Sequence, residues 1–167
     1  MAVEVAVDNS AVFDLVDVPL PKNKEKDGLA FEKIVTLARK KHIEIGQPVT
    51  GTFMEALHAP RWKKNEVRKR IGDVLKTWPA PTFFKPEEQQ EFECRKRCLR
   101  KILPKRMGDD SDNLIVARYH SVYYVTTDYD FHKAFNDRKD EIRVKCVVEA
   151  YVLVPSEFIG MYDTGRV

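Results

Sequence analysis

Two acidic groupings come nearest to a spacing that could do chemistry. Asp128, Asp130 and His132 alternate directly after an apolar run, a pattern that would suit a divalent cation and nuclease-like hydrolysis. Asp109, Asp110 and Asp112 offer a second set of oxygen ligands, but the later Gly and Glu of a calcium loop are missing. Both have plainer readings, since Asp after a strand commonly caps a helix and an acidic stretch led by Gly108 is an ordinary solvated turn. The four histidines, His42, His58, His120 and His132, show no H-x-x-x-H or H-E-x-x-H spacing. No glycine-rich phosphate loop and no G-x-S-x-G occur. The expectation is a protein that is not an enzyme, with no cofactor and no metal.

Cys94, Cys98 and Cys146 match no zinc signature, because the close pair is C-x-x-x-C. A helix over 87–103 would stack Cys94 and Cys98 one turn apart, where a disulfide or half a metal site is geometrically conceivable. Ordinary thiols in a reducing compartment are the expectation.

Charge is the stronger signal. The net charge is only +3, yet residues 61–106 carry 15 Lys and Arg against 6 Asp and Glu, while residues 1–28 carry 3 against 6 and residues 107–167 carry 7 against 11. Such concentration points to an anionic partner. One cluster comprises Arg61, Lys63, Lys64, Asn65, Arg68 and Lys69; a second comprises Arg95, Lys96, Arg97, Arg100, Lys101, Lys105 and Arg106. The gradient from Glu87, Glu88, Glu91 and Glu93 to the second cluster also stabilises a helix on its own account.

The order of elements over Leu29–Trp78, three helices with the last one basic, resembles a helix-turn-helix or winged-helix unit. That resemblance implies a third helix in the major groove, with Lys63, Lys64, Asn65, Arg68 and Lys69 on bases and phosphates. Pro79-Ala80-Pro81 stands where a winged unit would begin its hairpin.

The elements that must position these groups follow from periodicity. Val3–Val7 and Val12–Val18 read as strands joined at Asp8-Asn9-Ser10, and Pro19–Gly28 as a polar connection. Leu29, Ile34, Leu37 and Ala38 predict a helix that ends before Gly46. Further helices are predicted over 51–58, 64–77 and 87–103. Gly108–Asn113 reads as a loop, Leu114–Thr127 and Ile142–Val154 as long strands, and Asp128–Glu141 as a short helix or broad loop between them. The tail after Pro155 would be partly ordered by Phe158, Ile159 and Tyr162.

At 167 residues, 43% hydrophobic and 33% charged, the expectation is one α+β domain over 1–167. Its terminal strands would form a mostly antiparallel sheet, with about four helices and a basic helical subregion over 29–106. No apolar run suits a membrane span, and the first residues lack a secretory pattern, so an intracellular site, cytoplasmic or nuclear, is expected, with a virion as an alternative setting. The functional expectation is non-enzymatic binding of RNA or DNA, mainly through the backbone. The alternative is a self-associating structural or adaptor protein, viral matrix-like in kind, that contacts protein partners, a second copy or an anionic membrane surface. In that case Tyr119, Tyr123, Tyr124 and Tyr151 would supply the interface, because Leu114–Thr127 is apolar on both alternating faces.

Overall fold

The computed structural model describes residues 2–14, 22–46, 86–118 and 121–167, together with Asn65 and Lys69 as exposed helical positions. The order is β1 (Val3–Val7), α1 (Asn9–Asp14), α2 (Glu25–Arg39), β2 (Ile43–Gly46), α3 (Pro86–Ile102), a 3-10 turn (Lys105–Met107), α4 (Gly108–Arg118), β3 (Tyr123–Val125), α5 (Tyr129–Asn136), α6 (Lys139–Cys146), β4 (Tyr151–Leu153) and α7 (Pro155–Asp163).

The expected antiparallel sheet is not what forms. The described strands make one four-stranded sheet in the order β2-β1-β3-β4, and every pairing is parallel. Val5 lies opposite both Ile45 and Tyr123, and Tyr124 lies opposite Val152. Helices therefore link successive strands, as parallel pairs require, and seven α-helices stand among the described residues where about four were expected.

Alternation along each strand divides the core in two. Val5, Val7 and Val125 face one side with Phe31, Ile34, Val35 and Ala38 of α2 and Phe158 of α7. Ala6, Tyr124 and Val152 face the other with Phe92 and Leu99 of α3, Leu114 and Ile115 of α4, and Phe131, Phe135 and Ile142 of α5 and α6. A parallel sheet must be covered on both faces. The two-sided apolar pattern around β3 thus has its cover in the chain itself, and no second copy is needed to explain it.

Three local corrections share a physical origin. Ile142, Val144, Cys146 and Val148 were expected on one strand face, but residues four apart share a face in a helix as well as in a strand. Val144 decides the matter: it is 74% exposed, opposite Ile142 and Cys146 on α6, whose end at Val147 adopts a left-handed conformation at φ 54°. Gly108–Asn113 is the first part of α4 rather than a loop, because acidic residues favour a helix N-terminus and Ser111 donates to the Met107 carbonyl at 2.7 Å. Residues 12–14 belong to α1 rather than to a strand.

Cys98 is bonded to Cys146, 48 residues away, stapling α3 to α6, while Cys94 is exposed and free. The expectation of unpaired thiols therefore fails for two of the three. None of the described helices is long and apolar enough to cross a membrane. The predicted helices over 51–58 and 64–77 lie outside the described residues, apart from Asn65 and Lys69.

Candidate active site at the strand ends

In the order β2-β1-β3-β4 the chain leaves β1 toward one edge of the sheet and β3 toward the other. A crevice accordingly opens beyond the carboxyl ends of β1 and β3, the place where open parallel sheets take ligands. Both strands end there on hydroxyls and acids: Asp8 and Ser10 follow β1, and Thr126, Thr127 and Asp128 follow β3. The ladder carries the two ends together, with Asp8 N–H donating to the Val125 carbonyl at 2.8 Å.

Asp8 is 4% exposed. Its Oδ1 accepts from the Tyr124 hydroxyl at 2.8 Å, and its Oδ2 accepts from Ser10 at 2.7 Å and from Thr126 at 2.9 Å. The backbone orients both smaller hydroxyls, because Thr127 N–H donates to Ser10 Oγ at 3.1 Å and Asp128 N–H donates to Thr126 Oγ1 at 3.0 Å. Asp128 caps α5 by accepting from Phe131 N–H at 2.9 Å.

α4 brings in a third carboxyl from its first turn. Asp110 is pushed up to about 6, first by burial and then by the negative charges of Asp8, Asp128 and Asp109. Burial chiefly, and next the charge and hydrogen bond of Asp8, hold the Tyr124 phenol well above its ordinary range, with Asp110 and Asp128 adding to the effect. Tyr124 therefore remains a proton donor at any physiological pH.

No Lys, Arg or His ion pair reaches Asp8, Asp110 or Asp128 among the described residues. Lys24, on the rim, is committed to Asp14 at 2.6 Å, and Asp14 also accepts from the Thr127 hydroxyl. Asp27 belongs to neighbouring scaffold: it accepts from Ser156 N–H at 3.0 Å near the start of α7, and from the Tyr129 hydroxyl.

The acidic groupings in the sequence are thus split. Asp110 and Asp128 enter the pocket, but Asp112 pairs with Arg100 and Lys96, Asp130 with Arg106 at 3.1 Å, and His132 with Glu157 at 2.8 Å. Asp8 was not singled out from the sequence. Its signal is a strand-forming run closing on an acid, Val3-Glu4-Val5-Ala6-Val7-Asp8, which Tyr123-Tyr124-Val125-Thr126-Thr127-Asp128 repeats after β3.

The second basic cluster lies on α3 and the turn after it. Arg95 pairs with Glu91, Lys96 with Glu93 at 3.4 Å and Asp112 at 3.3 Å, and Arg100 with Asp112 through bonds of 3.0 and 2.5 Å. Arg97 donates to the Glu93 carbonyl. Lys101 and Lys105 are exposed. Of the first cluster, Arg61, Lys63, Lys64 and Arg68 lie outside the described residues.

The tyrosines expected at an interface divide similarly. Tyr124 is buried beneath the strand-end pocket, so it offers no surface to a partner. Tyr123 stacks on Tyr151 at 5.5 Å and meets Phe158 edge-on, while Lys139 lies 4.1 Å above the Tyr151 ring. Tyr119 lies outside the described residues.

Fold and site together define a parallel-sheet protein with a carboxylate pocket at the crossover between its central strands. Comparison with family models, with curated proteins and with solved structures finds no match to this chain.

Proposed function

We propose that the chain is a divalent-cation-dependent hydrolase of nucleic-acid phosphodiesters, with Asp8, Asp110 and Asp128 at its centre and basic side chains of the helical region binding the substrate backbone. The observation that carries this reading is the buried Asp8 at the end of β1, with Asp128 beyond the adjoining strand and Asp110 near enough for both charges to raise it, and no cationic side chain paired to any of the three among the described residues. Carboxylates crowded in this way repel one another, and a cation relieves that cost.

Among the described residues no three His, Cys, Asp or Glu side chains enclose an ion. The proposed ion is therefore one that keeps several waters and takes only one or two carboxylates with substrate phosphate oxygens, as Mg2+ does. A bound ion of this kind polarises the phosphodiester and activates water. The protein groups supply the rest: Asp8 presents a fixed oxygen, Asp128 presents another from the start of α5, and Asp110 flanks them from α4. The exposed Lys101 and Lys105 remain for phosphate contacts, with Arg61, Lys63, Lys64, Asn65, Arg68 and Lys69 as the sequence-based candidates beside them.

This proposal departs from the expectation of a non-enzymatic, metal-free protein and keeps the nucleic-acid binding expected from charge. The test is incubation of end-labelled RNA and DNA with the purified chain in Mg2+ or Mn2+, beside an EDTA control and an Asp8→Asn variant checked for folding by circular dichroism. Cation-dependent cleavage that Asp8→Asn abolishes is the expected result. Salt-sensitive retention of nucleic acid without cleavage would return the function to binding alone.

A further inference from the structure

We infer that Tyr124 is a positioning residue that holds Oδ1 of Asp8 in the orientation a cation requires; the inference rests on the cation site proposed above. A carboxylate has roughly four lone-pair positions, two on each oxygen. On Asp8, Ser10 and Thr126 both donate to Oδ2, at 2.7 and 2.9 Å. The backbone N–H groups of Thr127 and Asp128 occupy acceptor positions on those two hydroxyls, which also lie 3.0 Å from each other and so form one network around Oδ2. Among the described residues Oδ1 receives only the Tyr124 hydroxyl, at 2.8 Å. Oδ1 is therefore the oxygen that retains acceptor capacity, and Tyr124 is its one donor among the described residues, completing the hold that Ser10 and Thr126 have on the other oxygen of the same planar group.

The phenol is itself immobile. Its ring lies in the core face formed by α4, α5 and α6, with Phe131 edge-on at 6.2 Å. The sheet register opposes Tyr124 to Ala6 on one side and Val152 on the other, so its hydroxyl reaches Asp8 from a rigid strand rather than from a loop. The one hydrogen bond of the Tyr124 hydroxyl among the described residues goes to Asp8. Tyr124 acts through Asp8, as outer hydrogen-bond partners act through metal ligands generally.

The experiment is titration of Mn2+ into the wild-type chain and into Tyr124→Phe, with free Mn2+ followed by electron paramagnetic resonance and folding checked by circular dichroism. Phe keeps the ring and removes only the hydroxyl. The expected result is a Kd raised by about 10-fold in the folded variant, the lower end of the range for losing an outer-sphere partner. A merely structural Tyr124 would lower the unfolding temperature and leave the Kd unchanged, and an unchanged or tighter Kd overturns the inference. If Tyr124→Phe does not fold, Mg2+ titration of the wild-type chain carrying 13Cζ-tyrosine observes the phenol directly. A buried tyrosine resonance that moves as the site fills supports the role, and tyrosine resonances that all stay fixed overturn it. Absence of Mn2+ binding by the wild-type chain refutes the cation site itself, an outcome distinct from failure of the Tyr124 role.

Discussion

The strand-end pocket and the seam between α3 and α4 are built from similar residue types and treat charge in opposite ways. In the seam, Asp112 sits between Arg100 and Lys96, and Glu91 and Glu93 are matched within their own helix by Arg95 and Lys96. At the strand ends, the charges of Asp8 and Asp128 help to raise Asp110, and the groups bonded to Asp8 are hydroxyls. A hydroxyl can orient a carboxylate but cannot neutralise it. Asp110 and Asp112 are separated by one residue on the same helix, yet one lies in a matched pair and the other among like charges. Matched charge fastens one helix to the next, while charge left unmatched at a crossover defines a place for a ligand.

The largest effect that separates the two regions is on activity. Asp128→Asn keeps a side-chain oxygen able to cap α5, since Asn and Asp are comparable caps, and removes only the charge. It should lower cation-dependent cleavage by at least about 100-fold, the upper end of what even an outer-sphere loss produces, without lowering the thermal midpoint. Asp112→Asn, in the seam, should leave the cleavage rate at the wild-type level in the same assay. Equal losses in both variants would erase the distinction.

Stability should respond in opposite directions. Asp110 carries a raised value of about 6 in the folded chain, so its ionised form opposes folding at neutral pH. Asp110→Asn should stabilise the cation-free protein by on the order of 1 kcal/mol once solvent screening of a half-exposed group is allowed for. By differential scanning fluorimetry at pH 7 that is a rise of about 2–4 °C for a chain of this size. Asp112→Asn should instead cost about 0.5–1 kcal/mol, the ordinary worth of a surface network with good geometry.

The pH dependence has the corresponding sign. Because the folded chain holds the Asp110 proton more tightly than the unfolded chain, this group's contribution favours folding below about pH 4. The contribution is lost as pH rises through about 6. Midpoints measured from pH 4 to pH 7 should show that component in the wild type and lack it in Asp110→Asn. The smallest effect is that of salt. Raising NaCl weakens exposed pairs such as Arg100–Asp112 and relieves the repulsion around Asp110, so Asp110→Asn should be stabilised less by added salt than the wild type.

How much of this was legible in the sequence depends on which periodicity a segment shows. β1, α2 and α3 fall within a few residues of their expected positions; for α2, Ile34 and Ala38 of the expected apolar face are buried, while Leu29 is exposed and Phe31 and Val35 complete the face instead. Ile142, Cys146, Val148, Ala150, Val152 and Val154 recur at even intervals that fit a strand throughout, and only the exposure of Val144 shows where the helix ends. The parallel topology was hidden for that reason: with 142–154 counted as one long strand, the end of α6 is lost, and only a short helix or broad loop over 128–141 stands between the two strands.

The site was half legible. Asp110 and Asp128 stood in acidic groupings that drew notice, but each grouping mixed one pocket residue with others that form surface pairs. Asp8 follows a five-residue strand with no other acid beside it, and its significance comes from β3 lying alongside. Strand order, not spacing along the chain, brings residues 8, 110 and 128 together. The second basic cluster was fully visible as composition, yet three of its seven charges, Arg95, Lys96 and Arg100, are matched by acids on α3 and α4.

The most direct test of the strand-end site is an anomalous difference map from crystals of the wild-type chain soaked in Mn2+, with data collected above the manganese edge. The expected result is a peak beyond the carboxyl ends of β1 and β3, within coordinating distance of Asp8 Oδ1 and of a carboxylate oxygen of Asp110 or Asp128. Crystals that bind no manganese there, or that bind it only at surface acids such as Asp130 or Asp140, would contradict a cation-dependent centre at the crossover.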